Sequence, residues 1–315
     1  MRTIVVDFQA LVVALLTLAV CNVAFARDEL QGAPEIRISD VTLFYKVYDA
    51  AHGAPTEAAL QNDYLDAGSE GLRQFVKLRI ESAAKLAAAT AKQRDVYERA
   101  RTCAAELPDV RSRVAAALAK LQALYPEAKL PPVTVLIGRG NTGGTTSAAG
   151  VLIGVETMCK ADWMQPDVGD RLVHLIAHEY AHVQQPITEQ IDNPNDGTHT
   201  LLETALVEGT AEFIAELTSG SISNAHLLKF TNGREARIER EFLAEMSRTD
   251  LSRWLYNGVG TESWPGDLGY WVGYRIARDF YAQAADKKAA LRELLILKDP
   301  PDILARSGFA ARVKP

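Results

Sequence analysis

The feature that most constrains the fold of this chain is the motif His178-Glu179-x-x-His182, which lies inside a largely apolar stretch over residues 172–183. An α-helix turns about once in 3.6 residues, so His178 and His182 would project from the same helical face. Two imidazoles in that relation can bind one zinc ion, and Glu179 beside them could then act on a zinc-bound water. The alternative is a helix that carries two ordinary surface or core histidines.

The histidines of the chain are unevenly distributed. The sequence holds six, and three of them, His174, His178 and His182, fall within nine residues on one helical stripe. Buried imidazoles are costly without partners, and a metal ion provides one. His174 could lie behind the metal ligands or be a hydrogen-bonded core histidine, and the second interpretation is favoured.

The third ligand decides which kind of zinc site is present, because catalytic zinc has three protein ligands and one open position. A third histidine would stand at residue 188 after a glycine at 185, but these residues are Thr188 and Gln185. An aspartate three residues after Thr210 is excluded as well, because Phe213 stands there. A glutamate ligand remains.

A second buried helix is predicted over residues 204–217, and Glu208 lies in its apolar part. Glu208 is therefore the predicted third ligand. Glu212 follows one turn later on the same face, and we expect it to accept a hydrogen bond from a ligand histidine and fix its tautomer. The alternative is a solvated acidic stripe of Glu208, Glu212 and Glu216, in which the like charges would repel each other without a cation between them.

With these residues the chain resembles the gluzincins, metallopeptidases that combine a His-Glu-x-x-His motif with a distal glutamate ligand in a Glu-Gly-x-Ala context. His178, His182 and Glu208 match the ligand pattern, and Glu179 matches the general base. The resemblance implies one zinc ion per chain and hydrolysis of peptide bonds. It also implies a zinc helix that packs beside an edge strand and is followed by a helical carboxy-terminal part.

A longer part of the chain is similar to a bacterial family of predicted secreted Zn-dependent proteases. Besides the two helices that carry the expected ligands, the matching stretches are residues 63–72, 143–145, 152–156 and 269–276. This similarity implies a peptidase and leaves its substrate open.

A second electrophile beside the zinc would stabilise the oxyanion that forms during hydrolysis. Tyr270 and Tyr274 lie one helical turn apart after a Gly- and Pro-containing break. The gluzincin aminopeptidases place a tyrosine at about this distance after the glutamate ligand, so the resemblance implies Tyr270 first and Tyr274 next. The alternative is aromatic packing with Trp271 and Tyr281.

The pattern of the whole chain predicts a mainly α protein with a small β-sheet, an α+β fold. An extended and irregular region is predicted over 27–60, with a short strand or helix start at 41–48, and helices follow over 62–124 with a new helix near Pro108. Next come a strand at 133–137, a Gly/Thr/Ser loop over 138–149 and a second strand at 150–155. From residue 201 onward the chain is again predicted to be helical, with a break at 257–267. Residues 145–154 are expected to pair with the extended backbone of a substrate. Residues 27–130 then form an amino-terminal, mainly helical region and 131–315 the zinc-peptidase region, and the two could form one compact unit.

The amino terminus predicts a secretory signal peptide over residues 1–26. Arg2 precedes an apolar stretch over 10–20, and Ala24 and Ala26 put small residues at the two cleavage positions, so the cut is expected after Ala26. The minor alternative is a lipoprotein signal that anchors the chain at Cys21. We expect the mature chain to be exported, to the periplasm or outside the cell.

Two cysteines, Cys103 and Cys159, remain after removal of this signal peptide. In an exported protein they could form one disulfide, and two separate buried thiols are the equally supported alternative. The sequence leaves the two possibilities open.

The net charge of −6 over 315 residues argues against a nucleic-acid partner, because no basic stripe interleaved with aromatics occurs. The expected partner is a peptide or protein substrate, and no stable membrane span is expected after signal cleavage. Two other functions stay open. One is a non-catalytic envelope binding or scaffold protein with a structural zinc, and the other is a zinc hydrolase that acts on a non-peptide amide.

Overall fold

The structure, a computed structural model, describes residues 34–187 and 197–313, so the expected signal peptide lies outside it. The helices are α1 (Ser39–Ala50), α2 (Glu57–Leu60), α3 (Glu70–Phe75), α4 (Ala83–Lys92), α5 (Arg94–Cys103), α6 (Leu107–Leu124), α7 (Val155–Lys160), α8 (Val168–Gln184), α9 (Leu201–Ser219), α10 (Ala225–Thr231), α11 (Glu235–Glu245), α12 (Leu268–Gln283), α13 (Lys287–Ile296), α14 (Pro300–Arg306) and α15 (Phe309–Arg312). The strands are β1 (Ile36–Arg37), β2 (Val133–Leu136), β3 (Gly144–Ser147), β4 (Gly150–Gly154), β5 (Gly260–Thr261) and β6 (Trp264–Pro265). None of the helices in this part of the chain is both long and apolar enough to span a bilayer.

A small mixed sheet lies among the helices, with the strand order β1-β2-β4-β3. The strands β1, β2 and β4 are parallel, and β3 pairs with β4 in the antiparallel direction. Every residue of β2 and β4 is buried, as the nearly continuous apolar sequence of both strands requires in the middle of a covered sheet. The prediction of a mainly α fold with a small sheet is therefore confirmed.

Two local expectations need correction. Residues 39–50 lie in the region expected to be extended but form α1, so of the strand and the helix start left open at 41–48 the helix is correct; Phe44, Tyr48 and other apolar residues recur there at helical spacing and are buried on one face. The expected loop over 138–149 contains β3, whose small and polar residues resemble a turn sequence but pair in register with β4. As a result β3, and not the interior strand β4, forms the edge of the sheet.

The two helices that carry the expected ligands begin with side-chain caps. Asp167 accepts a hydrogen bond from the backbone N–H of Asp170 at the start of α8. Thr200 and Glu203 form a reciprocal capping box at the start of α9. These caps fix where each helix begins, and therefore which residues face the site.

Helices α9 and α12 touch through their backbones at a pair of glycines. A Cβ atom at Gly209 would lie 2.0 Å from the carbonyl carbon of Gly273, and a Cβ at Gly273 would lie 1.7 Å from the carbonyl oxygen of Ala205. Because any side chain would push the helices apart, both positions require glycine. This contact brings α12 close to the turn of α9 that carries Glu208.

One continuous core includes residues from both the amino-terminal region and the region after residue 130. The hydroxyl of buried Tyr64 donates to the carbonyl of Ile137 at 2.7 Å, which ties the helices to the end of β2. Cys103 at the end of α5 and Cys159 in α7 form a disulfide that links the same two regions. Of the two possibilities that the sequence leaves open, the structure shows the disulfide.

Candidate metal centre

The helix α8 places the imidazoles of His178 and His182 side by side. Their Nε2 atoms lie 2.9 Å apart, as expected for residues one turn apart on the same face. His178 is buried and His182 half-buried, and both line one cavity.

Glu208 on α9 completes the group. Its Oε2 atom lies 3.4 Å from Nε2 of His178 and 3.2 Å from Nε2 of His182. Zinc that binds nitrogen and oxygen ligands tetrahedrally at about 2.0–2.1 Å holds those ligand atoms roughly 3.3 Å apart. Two imidazoles and one carboxylate at these separations therefore fit a zinc ion that keeps one coordination position open.

Each of the two histidines is oriented by an acceptor behind it. The Nδ1 atom of His178 lies 3.0 Å from Oε1 of Glu212, and the Nδ1 atom of His182 lies 2.7 Å from Oε1 of Gln185. An acceptor beside Nδ1 favours the tautomer that leaves the Nε2 lone pair for a metal. The predicted position of Glu212 agrees with this arrangement, whereas no sequence pattern indicates Gln185 there.

His174 is a buried histidine with an oxygen partner on each side. Its Nδ1 atom lies 2.7 Å from the carbonyl oxygen of Ser221, and its Nε2 atom lies 3.0 Å from Oε2 of Glu212. His174, His178 and Glu212 are close enough to form a second metal-binding group. Both ring nitrogens of His174 are engaged in ordinary hydrogen bonds, so His174 supports Glu212 from behind and is also part of the hydrogen-bonded core.

The carboxylates make the centre a strong cation site. Burial raises the pKa of Glu208 and of Glu212, but the neighbouring histidines outweigh it and hold both pKa values well below the ordinary range. Burial lowers the pKa of His178, yet its hydrogen bonds to Glu208 and Glu212 raise that pKa to about 10. A metal ion must therefore displace protons from the imidazoles, and its affinity falls as the pH is lowered.

Glu179 lies between the two histidines in sequence and faces the edge strand β3. A Cβ atom at Gly144 would lie only 2.5 Å from Oε1 of Glu179, so the glycine leaves room for this carboxylate against the strand. Burial raises the pKa of Glu179, although the nearby His182 and His178 act to lower it. A raised pKa makes a carboxylate a stronger proton acceptor, as a general base requires.

A cavity of about 420 Å³ opens in front of these residues, and Tyr256 and Tyr270 both line it. The hydroxyl of Tyr256 donates to Oε1 of Glu208 at 2.6 Å. Its backbone has a φ of +56°, a conformation that non-glycine residues adopt mainly where the surrounding structure imposes it. The aromatic ring of Tyr270 lies parallel to that of His178, with 6.3 Å between the centroids.

The structure separates the two tyrosines that the sequence singles out. Tyr270 reaches the cavity, but Tyr274 packs its ring against Phe213 at 6.4 Å between centroids and lines a different cavity. Besides Gln185, sequence reasoning missed Tyr256, which lies in a loop 48 residues after Glu208 and carries no local signal.

A protein-family model described as predicted Zn-dependent protease (DUF2268) matches residues 139–298, just over half of the chain. The chain belongs to this Zn-dependent protease family. No curated protein and no solved structure matches it. The stretch matched to the protease family runs from the loop before β3 to the end of α13, and it includes Glu179, Tyr270 and all three residues that could hold the metal.

Proposed function

We propose that this member of the Zn-dependent protease family is an exported peptidase that hydrolyses peptide bonds with one zinc ion on His178, His182 and Glu208. The observation that carries the proposal is the convergence of the three ligand atoms within 4.8 Å of one another, beside the buried carboxylate of Glu179. An acid–base group, a cation site and an open cavity meet there, and hydrolysis needs all three.

When bound, zinc would lower the pKa of a water molecule toward neutrality and polarise the carbonyl under attack. Glu179 accepts the proton of the attacking water and later delivers it to the leaving amine, because its raised pKa suits both steps. Glu212 and Gln185 keep the two imidazoles oriented throughout.

We assign Tyr270 to the oxyanion, in agreement with the expectation from the sequence. The hydroxyl of Tyr256 is already engaged by Glu208, whereas Tyr270 enters the same cavity from α12 beside His178. Tyr256 then has a positioning role, because its hydrogen bond orients the carboxylate of Glu208.

The outer edge of β3, which pairs with no further strand in the part of the chain that the structure describes, is the proposed place for the substrate backbone. The N–H of Gly154 donates to the carbonyl of Gly143 at 2.8 Å. In an antiparallel pair of strands, hydrogen-bonded and non-hydrogen-bonded residue pairs alternate, so the N–H and C=O groups of Gly144 and Thr146 point away from β4. The hydroxyl of Thr142 donates to the carbonyl of Gly144 at 3.0 Å, as an outward carbonyl allows. An extended peptide could add to this edge as a further strand, next to Glu179.

Export is supported by the signal-peptide pattern over residues 1–26 and by the disulfide between Cys103 and Cys159, because structural disulfides persist in oxidising compartments. Amino-terminal sequencing of the protein recovered from outside the cytoplasm should begin at Arg27. Recovery of the uncut chain from the cytoplasm would contradict export.

The experiment that tests the function compares the purified chain with its Glu179→Gln variant on a random peptide library, with zinc content measured in both. We expect the wild type to cleave peptides and the variant to retain zinc while kcat falls by about 10²–10⁴-fold. Equal cleavage by both proteins would remove Glu179 from the mechanism. A zinc-loaded wild type that cleaves no peptide would instead favour a structural zinc or a non-peptide amide as substrate.

A further inference from the structure

The catalytic cavity contains a positively charged side chain, that of Arg79, which has no role in the mechanism above. Arg79 lines the same cavity as Glu179 and β3. It lies in the π-helical turn Val76–Ile80 that continues α3, and such turns are frequent at functional sites. We infer that Arg79 binds a carboxylate group of the substrate and so makes the peptidase selective for an acidic group at one position; the inference rests on the proposed peptidase function.

Within the described residues no carboxylate forms an ion pair with the guanidinium of Arg79; its charge acts on Glu179 from a longer distance, against the burial that raises the pKa of that carboxyl. The Nη2 atom of Arg79 donates to the hydroxyl of Thr145 at 3.1 Å, and its Nε is buried without a hydrogen-bond partner. Glu81, the nearest acid in the sequence, is occupied by Lys85 and Arg139. A half-buried guanidinium with donors to spare is costly to leave unpaired, and a carboxylate is the group that fits its planar fork.

Residues of the loop that leads into β3 hold the backbone of Arg79 in place. Its carbonyl accepts hydrogen bonds from Nε of Arg139 at 2.8 Å and from the side-chain amide of Asn141 at 3.3 Å. The turn ends at Glu81, whose φ of +71° reverses the chain direction. The start of the Arg79 side chain is therefore fixed relative to the loop that leads into β3, as a specificity residue requires.

The geometry of β3 limits the preference to one substrate position. Gly144 faces Glu179, and successive strand residues point to opposite faces, so Thr145 and the contacting Arg79 lie on the other face. A substrate strand paired along the edge presents the side chain opposite Thr145 to that same face. Its two neighbours point toward the metal-ligand side, away from the contact between Thr145 and Arg79.

Two sources could supply the carboxylate. One is an aspartate or glutamate side chain within the substrate, and the other is the carboxy terminus of a short peptide. Both offer two coplanar oxygens to the guanidinium. A hydrogen bond that involves charged groups contributes about 1.5–3 kcal/mol, so the preference over the uncharged amide should be about 10–100-fold.

The test measures kcat/KM for peptide sets that differ by Asp against Asn, or Glu against Gln, at each position, and by a free against an amidated carboxy terminus. We expect the wild type to show the preference at a single position or at the carboxy terminus, and Arg79→Gln to abolish it. Lys77→Gln, which removes an exposed cation two residues away, should leave it intact. Arg79→Lys, which keeps the positive charge but loses the paired N–H donors of the guanidinium, should retain part of the preference for the acidic peptide.

A binding measurement separates this inference from the proposed function. Fluorescence anisotropy with a labelled acidic peptide and its amide is compared between zinc-loaded Glu179→Gln and the same protein with Arg79→Gln added. Selective loss of acidic-peptide binding supports Arg79 even if no peptide is hydrolysed. Overturning results are an acid preference that survives Arg79→Gln, or an equal loss for acidic and neutral peptides, which would reduce Arg79 to an electrostatic neighbour of Glu179.

Discussion

At the scale of single residues, the centre consists of ligands that are each held by a second side chain. Glu212 holds His178, Gln185 holds His182, and Tyr256 holds Glu208. Such supports fix ring orientation and ligand basicity, and they commonly affect metal affinity almost as much as the ligands do. Changes behind the ligands should therefore be visible in zinc binding before they are visible in folding.

Glu212→Gln tests this directly. The amide cannot supply two anionic acceptors to His174 and His178, so we expect zinc affinity to fall by about 10–100-fold. Competition with a chromogenic chelator measures the dissociation constant. Glu216→Gln, one turn further along α9, is the matched control because the carboxylate of Glu216 hydrogen-bonds Tyr274 rather than a ligand histidine, and it should leave zinc affinity unchanged. Equal effects of the two substitutions would favour the acidic-stripe alternative.

The role of Tyr270 is tested by removing its hydroxyl alone. Tyr270→Phe should retain zinc while kcat falls by about 10²–10³-fold, the usual loss when one oxyanion donor is removed. Tyr274→Phe should be close to wild type because Tyr274 does not reach the cavity. Steady-state kinetics on one good peptide compares the variants. If Tyr256→Phe lost kcat and Tyr270→Phe did not, the role would belong to Tyr256.

The residues that the sequence predicts at the site are those with local patterns. His178 and His182 are four residues apart on one helix, and Glu208 stands out as an acid in an apolar helix. Tyr256 and Arg79 approach the same cavity from a loop and a π-helical turn far away in sequence. Only tertiary packing brings them there, so no spacing rule could have indicated them.

At the scale of secondary-structure elements, the position of Glu208 depends on how closely α9 approaches α12. The glycine pair Gly209 and Gly273 allows backbone contact one residue after Glu208. The helices themselves follow from apolar periodicity and caps, which is why their existence was predictable. The edge strand β3 was missed because Gly-Gly-Thr-Thr-Ser has the composition of a turn, and only pairing with β4 makes it a strand.

Gly209→Ala should separate these two helices. The added methyl group would meet the backbone of Gly273, so we expect the free energy of unfolding to fall by about 1–3 kcal/mol. We also expect the folded protein to lose its zinc. Denaturant titration and zinc analysis of the folded fraction measure both effects.

Gly220→Ala at the end of the same helix is the control for Gly209→Ala. Gly220 has a φ of +72° and open space around it, so alanine there costs about 1–2 kcal/mol without moving Glu208. Zinc retention in both variants would show that the Gly209 contact does not position the ligand.

At the scale of the whole molecule, the disulfide and the shared core join the helices before residue 130 to the metal-binding part. Replacing Cys103 and Cys159 together with serine should lower the free energy of unfolding by about 2–4 kcal/mol. Zinc content should stay unchanged because neither cysteine lies at the metal centre. Thermal unfolding with and without reductant measures the effect: reductant should destabilise the wild type and leave the double variant unaffected. A wild type that unfolds at the same temperature with and without reductant would contradict a structural disulfide.

Zinc K-edge X-ray absorption on the purified mature chain tests most directly whether His178, His182 and Glu208 hold one zinc ion. We predict one zinc per chain with two imidazole nitrogens and carboxylate oxygen at about 2.0–2.2 Å, and loss of the protein oxygen in Glu208→Ala. A sulfur ligand, a single imidazole, or a spectrum that Glu208→Ala leaves unchanged would contradict this ligand set.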